Sequence, residues 1–200
     1  MKRLATLLTL ALAALLTGCA GMRVVDSQVL AVANVPPGVQ LQGAKYRFER
    51  LPSQAGNPEA GLAEQQAEQA LAAVGLVRDD AAAQLSVLVG FQGTQYLADP
   101  WGYPYPGTYG SISIGRGVPW GSGVGFGMGM RFPPPTQYRR EVSLVLRDLR
   151  SGLVVYETHA SHNGAWRDSE AIFATLFKAA LANFPNPPAG VQRVNIEIPR

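Results

Sequence analysis

Residues 138–161 read YRREVSLVLRDLRSGLVVYETHAS, and this stretch decides the fold. Apolar side chains recur at every second position of its first half, and this period of two indicates a strand with one buried face. The members of that face are Val142, Leu144 and Leu146. Residues 148–152 are short and turn-rich, so residues 153–161 are predicted to return antiparallel as the second arm of a β-hairpin.

Four further stretches outside the hairpin are predicted to form strands, because their apolar residues alternate or run for strand length. The first ends at Val35-Pro36-Pro37-Gly38, since proline cannot continue a hydrogen-bonded ladder. The predicted strands are Gln28–Val32, Ala44–Glu49, Gln84–Thr94 and Val194–Ile198.

Two helices are predicted from apolar residues that recur at helical spacing. The first begins at Asn57-Pro58-Glu59, where asparagine caps and proline occupies the first turn, and ends at Gly75. Its apolar stripe consists of Ala63, Ala67, Ala70, Leu71 and Val74. The second runs from Asp168 to about Asn183 and ends before Pro185. Its broader apolar face consists of Ile172, Phe173, Leu176, Phe177, Ala180, Leu181 and Phe184.

The element order β, β, α, β, β, β, α, β predicts the fold class. Helices with one apolar face and strands that mostly alternate favour an α+β, two-layer sandwich: a mostly antiparallel sheet with both helices on one face. A chain of 200 residues has the size of one globular domain, which we place at residues 25–198.

The N-terminus has the pattern of an export signal. Lys2 and Arg3 precede an apolar run, Leu4–Leu16, that would reach only ~20 Å as a helix, too short to span a bilayer. No later stretch approaches the length of a transmembrane helix, so none is predicted. Residues 1–18 are therefore predicted to be a signal peptide that is removed.

Leu16-Thr17-Gly18-Cys19 resembles a bacterial lipoprotein signal. The resemblance implies that the Cys19 thiol is diacylglycerated, that the leader is cut before Cys19, and that the new amine is acylated. A protein acylated in this way should take up labelled palmitate. The alternative is a buried or free cysteine behind an ordinary signal peptide. Residue 20 is alanine, whereas an aspartate at this position is associated with retention of such lipoproteins in the inner membrane. The resemblance therefore implies the periplasmic side of the outer membrane. Residues 19–24 would form the tether.

The mature chain also resembles the bacterial lipoprotein family catalogued as domain of unknown function (DUF) 4136. Packing and turn patterns carry this resemblance, and none of them is a chemical signature. They lie in Tyr46–Phe48, Ala67–Leu76, Gln84–Val87, Glu141–Tyr156 and Ile172–Phe184. The resemblance implies the sandwich and the envelope address, and it carries over no activity.

Residues 97–136 differ from the rest of the chain, with ten glycines, seven prolines and seven aromatic residues among forty. No helix or ordinary strand fits that composition, so we interpret the segment as a loop inserted between two strands. One reading is a flexible loop. A second is an interaction loop that offers aromatic faces to glycans, peptides or a partner protein. A third is a small hairpin or a contact with lipid headgroups. The candidate partner-binding residues are Trp101, Tyr103, Tyr105, Tyr109 and Trp120.

Charge and cysteine content exclude several function classes. Without Lys2 and Arg3 the chain carries 15 positive and 14 negative residues, too small an excess for nucleic-acid binding. Cys19 is the only cysteine, which excludes an intramolecular disulfide and a cysteine-based metal cluster. No cofactor and no metal site are predicted.

No catalytic motif is found, so we do not predict an enzyme. His159 and His162 lie three apart on a predicted strand and therefore on opposite faces, where we expect them to be solvated. Glu157 shares a face with His159, the minimum for acid–base chemistry. The leading hypothesis is an outer-membrane-anchored periplasmic interaction module of the cell envelope. The alternatives are a glycan or small-ligand binder using the groove beside the aromatic loop, and a hydrolase using His159 and Glu157.

Overall fold

The computed structural model describes residues 21–98 and 135–199. These residues form a mixed α+β fold with seven strands and two longer helices, in the order β1 (Met22–Ala33), β2 (Lys45–Glu49), α1 (Pro58–Ala73), β3 (Val77–Arg78), β4 (Leu85–Leu97), β5 (Thr136–Asp148), β6 (Val154–Gly164), α2 (Ser169–Ala180) and β7 (Gln192–Pro199). A short 3-10 turn, Pro52–Gln54, precedes α1. Neither α1 nor α2, the two longer helices in the described parts of the chain, is long and apolar enough to cross a bilayer.

The strands form one sheet in the order β3-β2-β4-β5-β6-β1-β7. Its pairings are antiparallel except those that β2 makes with β3 and β4. The predicted hairpin is confirmed: β5 and β6 pair antiparallel from Tyr138 opposite Gly164 to Leu146 opposite Tyr156, where a register shift occurs before the turn.

The start of α1 agrees with the sequence signals. The Asn57 side chain accepts a hydrogen bond from the backbone N–H of Glu59, and Pro58 occupies the first turn. The predicted alanine stripe is buried apart from Val74, which is half-buried. Gly75 ends the helix with φ +90°, a left-handed conformation that favours glycine.

Helix α2 presents the predicted apolar face to the sheet. Ile172, Leu176 and Phe177 have no exposed surface. The helix ends at Ala180, about three residues before the predicted end, because the chain turns through hydrogen bonds from Ala182 N–H to Ala179 O and from Phe184 N–H to Leu181 O before Pro185. Helix α2 contacts β5, β6, β1, β7 and α1, while α1 also contacts β4 and β3.

Strand β1 begins earlier than predicted. Met22, Arg23 and Val24, which the sequence analysis assigned to the tether, already pair with β7. The reason is that the odd-numbered residues of β1 continue the buried face to Arg23 although two of them are polar. That face consists of Arg23, Val25, Ser27 and Val29.

Several segment ends meet at one end of the sheet. Met22 lies opposite Pro199, and Leu97, at the end of β4, lies opposite Thr136, at the start of β5. Strands β1 and β5 both run antiparallel to β6, so they begin at the same end. We call this the Met22 end, and both ends of the segment between β4 and β5 lie there.

Candidate functional site: a groove and a buried polar cluster

A groove with a volume of about 730 Å³ lies between the two helices and the parts of β4 and β5 near the Met22 end. Phe91 of β4 and Phe173 of α2 meet edge to face in it, with ring centroids 6.2 Å apart. Four residues with carboxamide side chains on the helix side of the sheet also line the groove: Gln54, Asn57, Gln66 and Gln95. Aromatic surface beside several hydrogen-bonding groups is typical of a site for a small polar ligand.

Arg140 is the buried charge of this groove. It lines the groove while only 1% of its surface is exposed. Its Nη2 donates to the Trp166 carbonyl at 2.6 Å, and its Nε donates to the Ser169 hydroxyl at 3.1 Å. Its Nη1 is buried without a hydrogen-bond partner among the described residues.

Burial makes the charged form of Arg140 costly. It lowers the pKa of the guanidinium below its usual value, with the Tyr138 phenol acting in the opposite direction and the charge of Arg23 acting in the same one. An arginine remains charged even so. The site therefore holds a positive charge that has been removed from water.

Arg23 lies beside Arg140 but has its own carboxylate. Both of its terminal nitrogens donate to the Asp168 carboxylate, and its guanidinium lies 5.1 Å from the centre of the Trp166 ring. Asp168 stands at the N-cap position of α2, but it makes no side-chain capping bond there. The N-terminus of α2 therefore lacks the kind of cap that Asn57 gives to α1.

His162 and Ser27 continue the polar cluster behind Arg140. His162 lies opposite Arg140 in the pairing of β5 with β6. Its Nδ1 donates to the Asp26 carbonyl at 2.7 Å, because a carbonyl can only accept. The His162 Nε2, Ser27 Oγ and Arg23 Nε are buried without partners among the described residues, like Arg140 Nη1. Gly164 makes room for this ring, since a Cβ there would lie 2.6 Å from His162 Nε2.

The structure describes some of the predicted site residues and not others. Cys19 and the five aromatic residues of the 97–136 segment lie outside the described residues: Trp101, Tyr103, Tyr105, Tyr109 and Trp120. His159 and Glu157 lie exposed on the same face of β6, and neither lines the groove. The prediction that His162 is solvated is wrong, because it is only 5% exposed and faces the core. Within residues 21–98 and 135–199 no group of three metal-ligating side chains comes together.

Arg140, Arg23 and Ser27 were not predicted as site residues, although the alternating pattern of their strands contains them. Arg140 stands two residues before Val142 and so continues the inward face of β5. Arg23 and Ser27 stand in the same way beside Val25 in β1. A charged residue on the buried face of an alternating strand was the signal available.

Comparisons with known proteins bear on the fold and the family. The family model described as "Domain of unknown function (DUF4136)" matches residues 39–186. No curated protein matches the chain. A PDZ domain protein from Parabacteroides distasonis ATCC 8503 is 14% identical, with a TM-score of 0.51 over 88% of this chain. The match covers 39% of that protein, so the chain spans about two fifths of its length.

A second solved structure is the PelC dodecamer from Paraburkholderia phytofirmans. It is 12% identical with a TM-score of 0.46, and the match covers 80% of this chain and 99% of that one. At 14% identity, the likeness to the Parabacteroides protein concerns the fold alone.

Proposed function

Since this chain belongs to the family of domains of unknown function DUF4136, we propose that it is an outer-membrane-anchored periplasmic lipoprotein that acts as an interaction module of the cell envelope. The anchor is the acylated Cys19, and the partner-binding side is the Met22 end with the aromatic segment that starts and finishes there. The partner is another envelope protein or a glycan.

One observation supports the proposal: the strand that follows Cys19 and the two strands that flank the aromatic segment have their ends at the same end of the sheet. Cys19 precedes Met22 by three residues, and three residues span at most ~10 Å. Because β1 begins at Met22, this limit keeps the Met22 end close to the acyl chains. Leu97 and Thr136, the strand ends that flank the aromatic segment, lie at that end and so near the proposed anchor.

We also infer the two-layer arrangement predicted from the sequence. The helices share one hydrophobic core with the inward side chains of the strands. Helix α2 also bonds directly to the inward face, since the hydroxyl of Thr158 in β6 donates to its Ala180 carbonyl at 2.8 Å. On the other face of β1 apolar side chains are exposed, including Val24, Leu30 and Val32. Helices on one face with the other face open support a sandwich of two layers.

The anchor is tested by Cys19→Ser in the full-length protein grown with labelled palmitate. We expect this variant to stay unprocessed and unlabelled, because the acyl groups need the thiol. Ala20→Asp is the matched control for address: it should keep the label but move to the inner-membrane fraction in a host that uses that sorting rule. Equal labelling of the wild type and Cys19→Ser would overturn the lipoprotein assignment.

The interaction role is tested by crosslinking and affinity capture in intact envelopes. A variant with Trp101, Tyr103, Tyr105, Tyr109 and Trp120 all changed to Ser should lose the crosslinked partner. The control changes Thr108, Ser111, Ser113 and Ser122 to Ala in the same segment and should keep it. Capture of the same partner by both variants would exclude the aromatic residues as the binding surface.

A second candidate function is small-ligand or glycan binding in the groove. The carboxamides beside Phe91 and Phe173 favour it, because amides bond to hydroxyl groups and aromatic rings stack on sugars. Saturation-transfer NMR with peptidoglycan fragments would test this function. We expect transfer to fall in Gln95→Ala, which lies opposite Tyr138 on the groove side of β4, and to persist in Gln28→Ala, an exposed glutamine on β1 away from the groove.

A further inference from the structure

We propose that the floor of the groove is an anion site that takes a phosphate group, held by Arg140, the Ser169 hydroxyl and the N-terminal N–H groups of α2. This inference goes beyond the proposed interaction role. It rests on the described residues alone and does not depend on lipidation.

Arg140 supplies the first part of the site. It is buried, it lines the groove, and its Nη1 has no partner among the described residues although its Nε and Nη2 are both bonded. A buried guanidinium nitrogen without an acceptor is costly, and such groups usually contact a ligand or ordered water. An oxyanion would supply both the missing acceptor and the missing negative charge.

The N-terminus of α2 supplies the second part. The first N–H groups of a helix lack partners within it and carry partial positive charge, so they favour anions. In α2 the residue at the N-cap, Asp168, gives its carboxylate to Arg23 instead of capping the helix. Ser169, the first residue of α2, lines the groove and accepts from Arg140; its proton goes to the Arg167 carbonyl over a long 3.4 Å, a bond that a phosphate oxygen would replace.

The charges around the groove leave Arg140 without a carboxylate. Arg23 pairs with Asp168, and Arg139 pairs with Glu141. Within residues 21–98 and 135–199 no salt bridge to Arg140 is formed. Glu59 and Glu170 also line the groove. Their negative charges oppose an anion, so we expect moderate affinity that weakens with salt.

Phosphate fits these donors better than a carboxylate does. A phosphate has enough oxygens to accept from a guanidinium, a hydroxyl and helix N–H groups at once, whereas a carboxylate has two. The phosphate can come from solution or from a phospholipid headgroup, because the groove lies near the Met22 end. Only the choice of the headgroup as the source rests on the proposed anchoring.

The test is calorimetric titration of the mature protein in maltoside micelles with inorganic phosphate at constant ionic strength, with chloride as the blank. Arg140→Gln should weaken binding at least about ten-fold, equivalent to ~1.4 kcal/mol. Ser169→Ala, at a partly exposed helix start where folding is not at risk, should weaken it several-fold. The matched control Arg147→Gln, at the other end of β5, should stay within about two-fold of the wild type, because Arg147 does not line the groove and bonds to the turn at Gly152.

A second arm of the test identifies the source of the phosphate. The phosphate titration is repeated with phosphatidylglycerol doped into the micelles. Competition of at least about ten-fold would support the site and identify the headgroup as its ligand. Unchanged phosphate binding would support the site and identify free phosphate. No binding by the folded wild type in either arm, or equal binding by the wild type, Arg140→Gln and Ser169→Ala, would overturn the proposal. Equal palmitate labelling of the wild type and Cys19→Ser, which would overturn the proposed anchor, leaves the inorganic phosphate result unaffected.

Discussion

Two buried hydroxyl groups of β6 contribute oppositely to stability. The Tyr156 hydroxyl is buried without a partner among the described residues, whereas Thr158 Oγ1 donates to the Ala180 carbonyl. We expect Tyr156→Phe to leave the free energy of unfolding unchanged or raise it by up to about 1 kcal/mol, because it removes an unpaired polar atom. Thr158→Val should lower it by about 1–2 kcal/mol. Urea denaturation measures both changes, and equal losses would show that the Tyr156 hydroxyl is bonded.

The same tyrosine predicts a loss of stability at alkaline pH. Burial raises the pKa of Tyr156 to about 12, so the folded state favours the neutral phenol. A raised pKa gives stability that is complete below the unfolded value of ~10 and is lost as the pH rises through the folded value. The melting temperature of the wild type should therefore fall between pH 10 and 12, and Tyr156→Phe should fall less. Burial also raises the pKa of Tyr46, so a smaller fall remains in the variant.

Single residues also show why sequence reasoning missed the candidate site. Period two places Arg140 and His162 on inward faces, but the polar character of both favours solvent. The predicted hairpin brings them together, but helix α2, which contacts both strands, and strand β1, whose Asp26 carbonyl accepts from His162, come from distant parts of the chain. Neither contact is encoded within the strand that carries the residue.

At the scale of elements, the packing of α2 against the sheet can be tested by removing one buried side chain of the helix. Phe177 has no exposed surface, so Phe177→Ala should lower the free energy of unfolding by about 3 to 5 kcal/mol through lost burial and a residual cavity. Lys178→Ala, its exposed neighbour on the same helix, is the control and should change it by less than about 0.5 kcal/mol. A melt of Phe177→Ala that matches the control would place Phe177 outside the core.

Elements with local signals were predicted, and elements without them were not. The hairpin of β5 and β6 and the capped α1 follow from alternation and from Asn57-Pro58, which act within one stretch of chain. Strand β3 has only two residues, too few for any period, and it exists because it pairs with β2. The parallel pairing of β2 with β4 was also not predicted, because it depends on how α1 crosses between the two strands.

At the scale of the whole molecule, the segment between β4 and β5 should be separable from the fold. The two strands pair continuously from Leu85 opposite Asp148 to Leu97 opposite Thr136. Replacing residues 99–134 by a short Gly/Ser linker should therefore keep a cooperative melt, because loop-closure entropy changes slowly with length. Aggregation or a broadened melt would show that the segment completes the core.

Tryptophan fluorescence gives a second test of the same segment. Trp101 and Trp120 are two of the three tryptophans of the chain, and the third is Trp166. If the segment is separable, a Trp166→Phe variant should show red-shifted emission that iodide quenches readily. Blue-shifted emission protected from iodide would assign the two indoles to the folded domain instead.

The position of β1 in the sheet has a consequence for the order in which the chain can fold during synthesis. Strand β1 is the first described strand, but its neighbours are β6 and β7, the last two. It therefore has no partner until nearly the whole chain has left the ribosome, and contacts that distant in sequence form slowly. This arrangement delays the closure of the sheet until its last strands have been synthesised. Truncation before Gln192 should extend that delay, because the Met22 half of β1 would then lose its β7 partner.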